Sequence, residues 1–205
     1  MQTTRLEAFS DAVLAIIITI MVLELRVPEH HDWTSLWHDT GISLLTYVLS
    51  FVYLGIYWNN HHHLFQLTER VTGSVLWANL HLLFWLSLYP FTTLWMAESD
   101  LARVPTMAYG INLLGAAIGY VILQWTIFSA EGPEHPLKQA LGSDVKGKVS
   151  PVLYVLGIVF AALSGEEARW ATALAVGLFV LVAIIWVIPD RRIERVVAGT
   201  SQGTP

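Results

Sequence analysis

The chain has 205 residues, of which 55% are hydrophobic and only 13% are charged, about half the charged share of an ordinary soluble domain. Its formal net charge is −5, its basic residues form no nucleic-acid-binding cluster, and it has no cysteine, which excludes disulfides, thiolate metal sites and cysteine nucleophiles. Long apolar runs separated by short charged segments predict an all-α, polytopic membrane protein.

Six apolar runs are each long enough to cross about 30 Å of hydrocarbon as a helix. The predicted spans cover residues 5–25, 36–63, 71–95, 105–128, 150–164 and 168–188. The longest loop between them is too short to fold alone, and no internal repeat is visible. Residues 1–205 are therefore predicted to form a single six-helix transmembrane unit.

Prolines mark several of the predicted helix ends. Pro28 and Pro189 follow the first and sixth spans, which they cannot continue, and Pro90 predicts a kink in the third. Ser150 and Pro151 predict a capped start of the fifth span. The first run is interrupted by acidic residues and lacks a small-x-small cleavage site after it, so it is interpreted as a membrane span and not as a signal peptide.

The basic residues predict the orientation, because cytoplasmic loops are enriched in them. Six spans put both termini on one side of the membrane. That side carries eight basic residues: Arg5, Arg70, Lys138, Lys146, Lys148, Arg191, Arg192 and Arg195. The opposite side carries three: Arg26, Arg103 and Arg169. Both termini are therefore predicted to be cytoplasmic, and the tryptophans near span ends predict an interfacial belt: Trp33, Trp37, Trp95, Trp170 and Trp186.

The first span is the most informative, because it is almost wholly apolar after its polar start. Residues at helical spacing form one stripe of Ala12, Ile16, Thr19 and Leu23, in which Thr19 supplies the only hydroxyl. In a monomer this stripe would be an ordinary packing surface. In an oligomer with this helix at the axis, Ile16 and Leu23 would form apolar rings, which can gate ions by excluding water.

Charged residues at the start of the first span need partners, since they are costly near a membrane unless paired or wet. Arg5 and Asp11 do not share a helical face, so each needs a partner on another helix. The candidates lie at the end of the second span and at the same level of the third: Tyr57, Trp58, Asn59, Asn60, His61, His62, His63, Asn79 and His81. A hydrogen-bonded network among some of these residues is predicted.

The three consecutive histidines do not predict a metal site by themselves. Adjacent helical residues point about 100° apart, so three in a row cannot chelate one ion. Structural hydrogen bonding, with a possible response to pH, is the favoured interpretation.

Residues 5–11 read R-x-x-x-F-S-D at the mouth of the first span, and residues 55–62 read Gly-Ile-Tyr-Trp-Asn-Asn-His-His. Both tracts resemble the bacterial branch of the endolysosomal potassium-channel family. The resemblance also extends over the whole chain in length and span count.

This resemblance implies a homotetramer in which the first helix of each subunit lines a central pore. It implies a potassium-permeable channel that is weakly selective over sodium, in the bacterial inner membrane, with lipid and monovalent cations as partners and no cofactor beyond permeant K⁺. The pore-lining and constriction residues implied are Ile16, Thr19 and Leu23, on the stripe that Ala12 begins. The structural polar network implied contains Arg5, Phe9, Ser10, Asp11, Asn60, His62 and His81.

Two other classes of function are weighed against a channel. A secondary or proton-coupled transporter would favour intramembrane carboxylates and inverted repeats, and neither is visible here. A membrane metal-dependent enzyme would have to use the histidines, but hydrolase, phosphate-binding and metalloprotease motifs are absent. The Thr-Val-Gly-Tyr-Gly filter is also absent, so carbonyl rings of that type are not the selectivity device.

Acidic residues in the outer loops leave two interpretations open. They either concentrate cations at the outer mouth or form an ordinary solvated surface. The residues concerned are Glu24, Glu29, Asp32, Asp39, Glu98 and Asp100.

Overall fold

The computed structural model describes residues 3–132, 145–165 and 169–187, which are helical and contain no strand. The helices are α1 (Thr3–Leu23), α2 (Trp33–Ser35) with a π-helical turn (Leu36–Thr40), α3 (Gly41–Gln66), α4 (Gly73–Ser87), α5 (Tyr89–Glu98), α6 (Arg103–Glu131), α7 (Val145–Leu163) and α8 (Arg169–Val187). They make six candidate membrane spans by length and composition, as predicted. The predicted ends at 168 and 188, and Lys138, Arg191, Arg192 and Arg195, lie outside the described residues.

The second and third spans are composite. The second starts at α2, where the Asp32 side chain accepts a hydrogen bond from the Ser35 amide at 2.8 Å, and continues through the π turn into α3. The third breaks at Leu88 between α4 and α5, two residues before Pro90. A proline has no N–H for the carbonyl four residues earlier, so the helix cannot run straight through it. The kink expected at Pro90 is confirmed.

The start of the fifth span differs from the prediction. Ser150 does not cap this helix, because α7 begins at Val145 and Pro151 lies inside it. The Ser150 hydroxyl instead donates to the Lys146 carbonyl at 2.8 Å and accepts from Trp186 Nε1 at 2.8 Å. Pro151 removes the hydrogen bond to the carbonyl four residues earlier, and packing against α8 together with the Ser150–Trp186 bond offsets that loss.

Helix packing places α1 against α3, α4 and α5, while α6 packs on α4 and α7, and α7 packs on α8. The centre of the bundle is aromatic. Ring pairs with centroids 5.9–6.4 Å apart join Tyr53, Tyr89, Tyr109, Tyr154 and Phe179, all of which are buried. This core holds the remaining helices together and leaves α1 on one flank of the subunit.

The G-x-x-x-G of α6 is a close-packing site. A Cβ at Gly115 would overlap the Trp85 ring, and a Cβ at Gly119 would lie 3.1 Å from Leu82 Cα. Both neighbours belong to α4. Small residues let two helix backbones approach closely, so these glycines set the α4–α6 distance.

Candidate functional site

The α1 helix has two distinct faces. Its buried face repeats every three or four residues and consists of Leu6, Ser10, Leu14, Ile17 and Met21. The opposite face carries Ala12, Ile16, Thr19 and Leu23, all exposed, with Ile16 at 57% and Leu23 at 81%. A helix alternates faces with a period of 3.6 residues, so the buried side packs on α3, α4 and α5 while the predicted stripe stays uncovered. The subunit alone therefore presents the whole stripe outward.

Thr19 is the only hydroxyl on this exposed face. Its Oγ1 donates to the Ile16 carbonyl at 2.9 Å and lies 3.0 Å from the Ala15 carbonyl. The hydroxyl proton is therefore used within the helix, and the oxygen lone pairs are left on the outer side. An oxygen presented in this way can accept from water or contact a cation.

Ser10 anchors the buried face of α1 to α3 and α4 through a directed chain of hydrogen bonds. His61 Nε2 donates to Asn79 Oδ1 at 2.8 Å, and Asn79 Nδ2 donates to Ser10 Oγ at 2.9 Å. The Ser10 hydroxyl then donates to the Leu6 carbonyl at 3.0 Å. All three polar side chains are buried, so losing one member would leave its partner unsatisfied, at a cost of about 1–3 kcal/mol.

The ring of His61 is also fixed by stacking. It lies on Phe65, with ring centroids 4.4 Å apart, and its Nδ1 is buried without a partner among the described residues. Because Nε2 faces an amide oxygen, the neutral Nε2–H tautomer matches the surroundings.

A second set of contacts joins the N-terminal end of α1 to the C-terminal end of α3. His62 Nδ1 lies 2.7 Å from Glu7 Oε1, and Trp58 Nε1 donates to Asp11 Oδ1 at 3.1 Å. The Trp58 and His62 rings stack with an interplanar angle of 14°. Glu7 and Asp11 are four residues apart, as are Trp58 and His62, so the two contacts lie one helical turn apart.

The remaining residues of the predicted network lie elsewhere. Arg5 is exposed and has no ion pair with a residue that the structure describes, and Phe9 is also exposed. Asn60 donates to the Ile56 carbonyl of its own helix at 2.8 Å. His81 accepts from Trp85 Nε1, also within its own helix, at 3.3 Å. The structure thus brings Ser10, Asp11 and His62 into side-chain contacts between helices, whereas the side chains of Asn60 and His81 bond within their own helices.

Glu7 is a contact residue that was not predicted, whereas Trp58, His61 and Asn79 were among the candidate partners on the second and third spans. The matching four-residue spacings of Glu7 with Asp11 and of Trp58 with His62 were a usable signal, because such pairs share a helical face. No comparable signal pairs Ser10 with Asn79, which are 69 residues apart.

The three consecutive histidines point to different partners. His61 faces Asn79, His62 faces Glu7, and His63 Nδ1 lies 3.5 Å from Gln66 Oε1. Within the described ranges, no group of three or more histidine or acidic side chains is arranged to hold a metal ion.

The acidic residues of the loops that were predicted to face outward are partly paired. Arg26 forms an ion pair with Glu98, and Arg169 Nη2 lies 3.1 Å from Asp100 Oδ2. Exposed pairs of this kind contribute little to stability, but they reduce the negative potential of this loop surface.

Solved structures share this architecture. A crystal structure of a TMEM175 homolog from Chamaesiphon minutus, described as a lysosomal potassium-selective channel, matches with a TM-score of 0.72 at 28% sequence identity. The match covers 92% of this chain and 97% of that one. A variant of the potassium channel MtTMEM175 matches with a TM-score of 0.63, but at 17% identity it supports the fold alone. Fold and composition thus define a multi-pass, all-helical membrane protein of the ion-channel class, and not an enzyme.

Sequence relatives give the family. A potassium channel of Chryseobacterium sp. is 53% identical over 191 residues, which are 93% of this chain and 95% of the relative. A Streptomyces collinus potassium channel is 34% identical, over 60% of this chain and 64% of the relative. Residues 5–90 match the family model described as endosomal/lysosomal potassium channel TMEM175. The chain belongs to the TMEM175 family.

A vertebrate relative differs in size and in name. The Gallus gallus endosomal/lysosomal proton channel TMEM175 is 29% identical over 136 residues, and the match spans only 26% of its length. What that protein does as a whole is therefore not transferred to this chain.

Proposed function

We propose that this protein is a homotetrameric, potassium-permeable cation channel with weak selectivity over sodium, in which α1 of each subunit lines the axis. The observation that carries the proposal is the uncovered face of α1, where Ala12, Ile16, Thr19 and Leu23 are all exposed in the single subunit. Relatives that are named potassium channels support the choice of ion.

Ile16 and Leu23 are proposed as the constriction. They are seven residues apart, so two apolar rings would be separated by about 10 Å along the axis. Water leaves a narrow apolar ring readily, and an ion without its hydration shell meets a high barrier there. The Thr19 oxygen lies between the rings, and its outward lone pairs would give a permeating cation a polar resting position.

The same hydroxyl layer fits weak selectivity. Four hydroxyl oxygens replace less of a hydration shell than stacked rings of backbone carbonyls do, so they separate K⁺ from Na⁺ less strongly. No other protein group or bound cofactor is needed for this step.

Both termini are proposed to be cytoplasmic, in the bacterial inner membrane with lipid around the subunits. The eight-to-three distribution of basic residues supports this orientation. Trp33, Trp37 and Trp170 support membrane insertion of the helices, because they are exposed at helix ends where membrane–water interfaces would lie.

Passive K⁺ flux through purified protein in liposomes tests the proposal, with Na⁺ as comparison and Ile16→Asn alongside. Asn should wet the constriction and raise K⁺ flux by about tenfold or more. Ile184→Asn on α8 is the matched control, because Ile184 is 55% exposed on a face outside α1, and it should leave flux unchanged. Equal flux in wild type and Ile16→Asn would contradict the pore assignment.

The same assay distinguishes a channel from the alternative, a secondary or proton-coupled transporter. Saturating flux that requires a proton gradient would favour a carrier. Flux that increases in proportion to the K⁺ gradient would favour a channel.

A further inference from the structure

We propose that His62 is a proton-dependent positioning residue for α1, which makes conduction depend on cytoplasmic pH through its contact with Glu7. The inference rests on the proposed function, since it matters for conduction only if α1 lines the pore. It concerns two side chains outside the pore stripe, one of which lies in a variable position of the R-x-x-x-F-S-D tract.

Both ring nitrogens of the neutral His62 imidazole have a hydrogen-bond partner. Nδ1 faces the Glu7 carboxylate at 2.7 Å, so it carries the proton and donates. Nε2 lies 2.8 Å from Gln66 Nε2 and accepts from that amide. A single neutral tautomer therefore satisfies both contacts.

A second proton can be accommodated without moving either helix. It would bind at Nε2, where the Gln66 amide at present offers a donor. Rotation of that amide by about 180° exchanges its nitrogen for its oxygen, which then accepts from Nε2. Gln66 is exposed at the end of α3, and its Oε1 lies 3.5 Å from His63 Nδ1, so after the rotation the amide nitrogen would face that ring nitrogen. The site thus has a matched set of hydrogen bonds in both protonation states.

Protonation strengthens the attachment of α1 at two positions. The Glu7 contact becomes an ion pair with a charge-assisted hydrogen bond, which is about twice as strong as a neutral one. The imidazolium also lies against the Trp58 ring, whose centroid is 6.1 Å away, and cations are attracted to indole faces. Trp58 in turn donates to Asp11, so the imidazolium is linked directly to Glu7 and through Trp58 to Asp11.

Exposure of the site suits a sensor of protons in the cytoplasm. The Glu7 side chain is 21% exposed and the His62 side chain 38% exposed, so protons reach the pair while solvent screens it only in part. The imidazole is also the side chain whose ordinary titration lies near physiological pH.

Other titratable groups surround this contact. Glu7 and Asp11 face it from α1, and His61 and His63 flank it on α3. On the neighbouring elements, His81 of α4 bonds to Trp85, and Glu131 of α6 accepts from the Glu69 and Arg70 amides at 2.7 Å. Of these groups, Glu7 is the carboxylate that bonds directly to His62.

The test measures K⁺ current through inside-out patches of reconstituted protein, with the cytoplasmic-face pH stepped between about 8 and about 5.5. Wild type should change its current about three- to tenfold across this range. His62→Gln, and Glu7→Gln, which keeps an acceptor but removes the charge, should reduce the change to less than about twofold. His63→Gln is the matched control on the same helix end, and it should keep the wild-type response.

A readout that needs no conduction accompanies the currents. A stacked imidazolium quenches indole fluorescence, so the difference between wild type and Trp58→Phe should show acid quenching that disappears in His62→Gln. This signal separates the two proposals: no current at any pH would contradict the proposed function, and the quenching alone would then support or overturn the role of His62.

Two results overturn the inference. One is a pH response of wild-type size in both His62→Gln and Glu7→Gln, with the oligomer intact in detergent. The other is acid quenching of Trp58 that persists in His62→Gln. If His62→Gln fails to assemble, Glu7→Gln carries the current measurement, because it preserves the size and hydrogen bonding of the side chain.

Discussion

Thr19 shows that the position of a hydroxyl group on a helix, more than the hydrogen bond it donates, decides its role. The hydroxyl donates inside its own helix, a bond that any membrane-embedded threonine can make, and Thr126 of α6 makes the same kind of bond to the Ile122 carbonyl. What distinguishes the two is their position, since Thr19 lies between Ile16 and Leu23 on the uncovered face of α1. The same local chemistry is therefore a structural detail in α6 and a candidate cation contact in α1.

Replacing Thr19 with valine should lower K⁺ flux by about three- to tenfold and move the K⁺ to Na⁺ permeability ratio towards one. Valine keeps the shape but removes the oxygen, so the apolar zone becomes continuous from Ile16 to Leu23. Reversal potentials in mixed K⁺ and Na⁺ solutions measure the ratio. Thr126→Val is the control with the same hydrogen bond, and an equal effect there would refute a special role for Thr19.

At the scale of elements, α1 is a helix with one structural face and one free face. Its buried side is held by apolar packing and by the Ser10 chain to Asn79 and His61, while the Glu7–His62 contact holds its N-terminal end. The α4 and α6 helices pack closely in a different way: Gly115 and Gly119 of α6 leave room for Trp85 and Leu82 of α4. The buried face of α1 therefore belongs to the same continuous core as the rest of the bundle, while its opposite face stays free.

Substituting Gly115 with alanine tests the α4–α6 packing. The added Cβ would overlap the Trp85 ring, so the helices must separate, and we expect a loss of about 1–3 kcal/mol in stability. Thermal aggregation in detergent, followed by size-exclusion chromatography, measures the change. Gly177→Ala in α8 has nothing within 4 Å of its added Cβ and should be neutral or slightly stabilising. A neutral Gly115→Ala would contradict close packing as the role of this motif.

At the scale of the whole molecule, a single subunit leaves much of its apolar surface uncovered. Long apolar side chains are exposed on α1 as well as on α6, α7 and α8, and lipid or a neighbouring subunit must cover each of these faces. The proposed tetramer assigns the α1 face to the axis and leaves the others to lipid and to subunit contacts. In the isolated chain, the α1 face and the faces of the other helices are all exposed and apolar. Only the assembly can show which face lies at the axis and which faces lipid.

Cysteine cross-linking can distinguish a helix face at the axis from one that faces lipid. The chain has no native cysteine, so an introduced one reacts without competition. Leu23→Cys, at the C-terminal end of α1, should form disulfide-linked dimers on oxidation if α1 lies at the axis, because copies around an axis lie close together. Leu163→Cys is the matched control at the corresponding end of α7, and at 65% exposure it should remain monomeric on denaturing gels. Equal cross-linking at both positions would argue against α1 at the axis.

The sequence alone determined the six spans, because apolar run length is a local property that hydrocarbon thickness selects directly. Helical periodicity likewise identified the stripe of α1 before any packing was known. The tertiary structure decided which residues the buried face of α1 contacts: Ser10 bonds to Asn79, and Asp11 bonds to Trp58. It also decided that α7 starts before Pro151. These outcomes depend on side chains from helices distant in the chain, and no local pattern encodes which of several polar neighbours a packed helix will face.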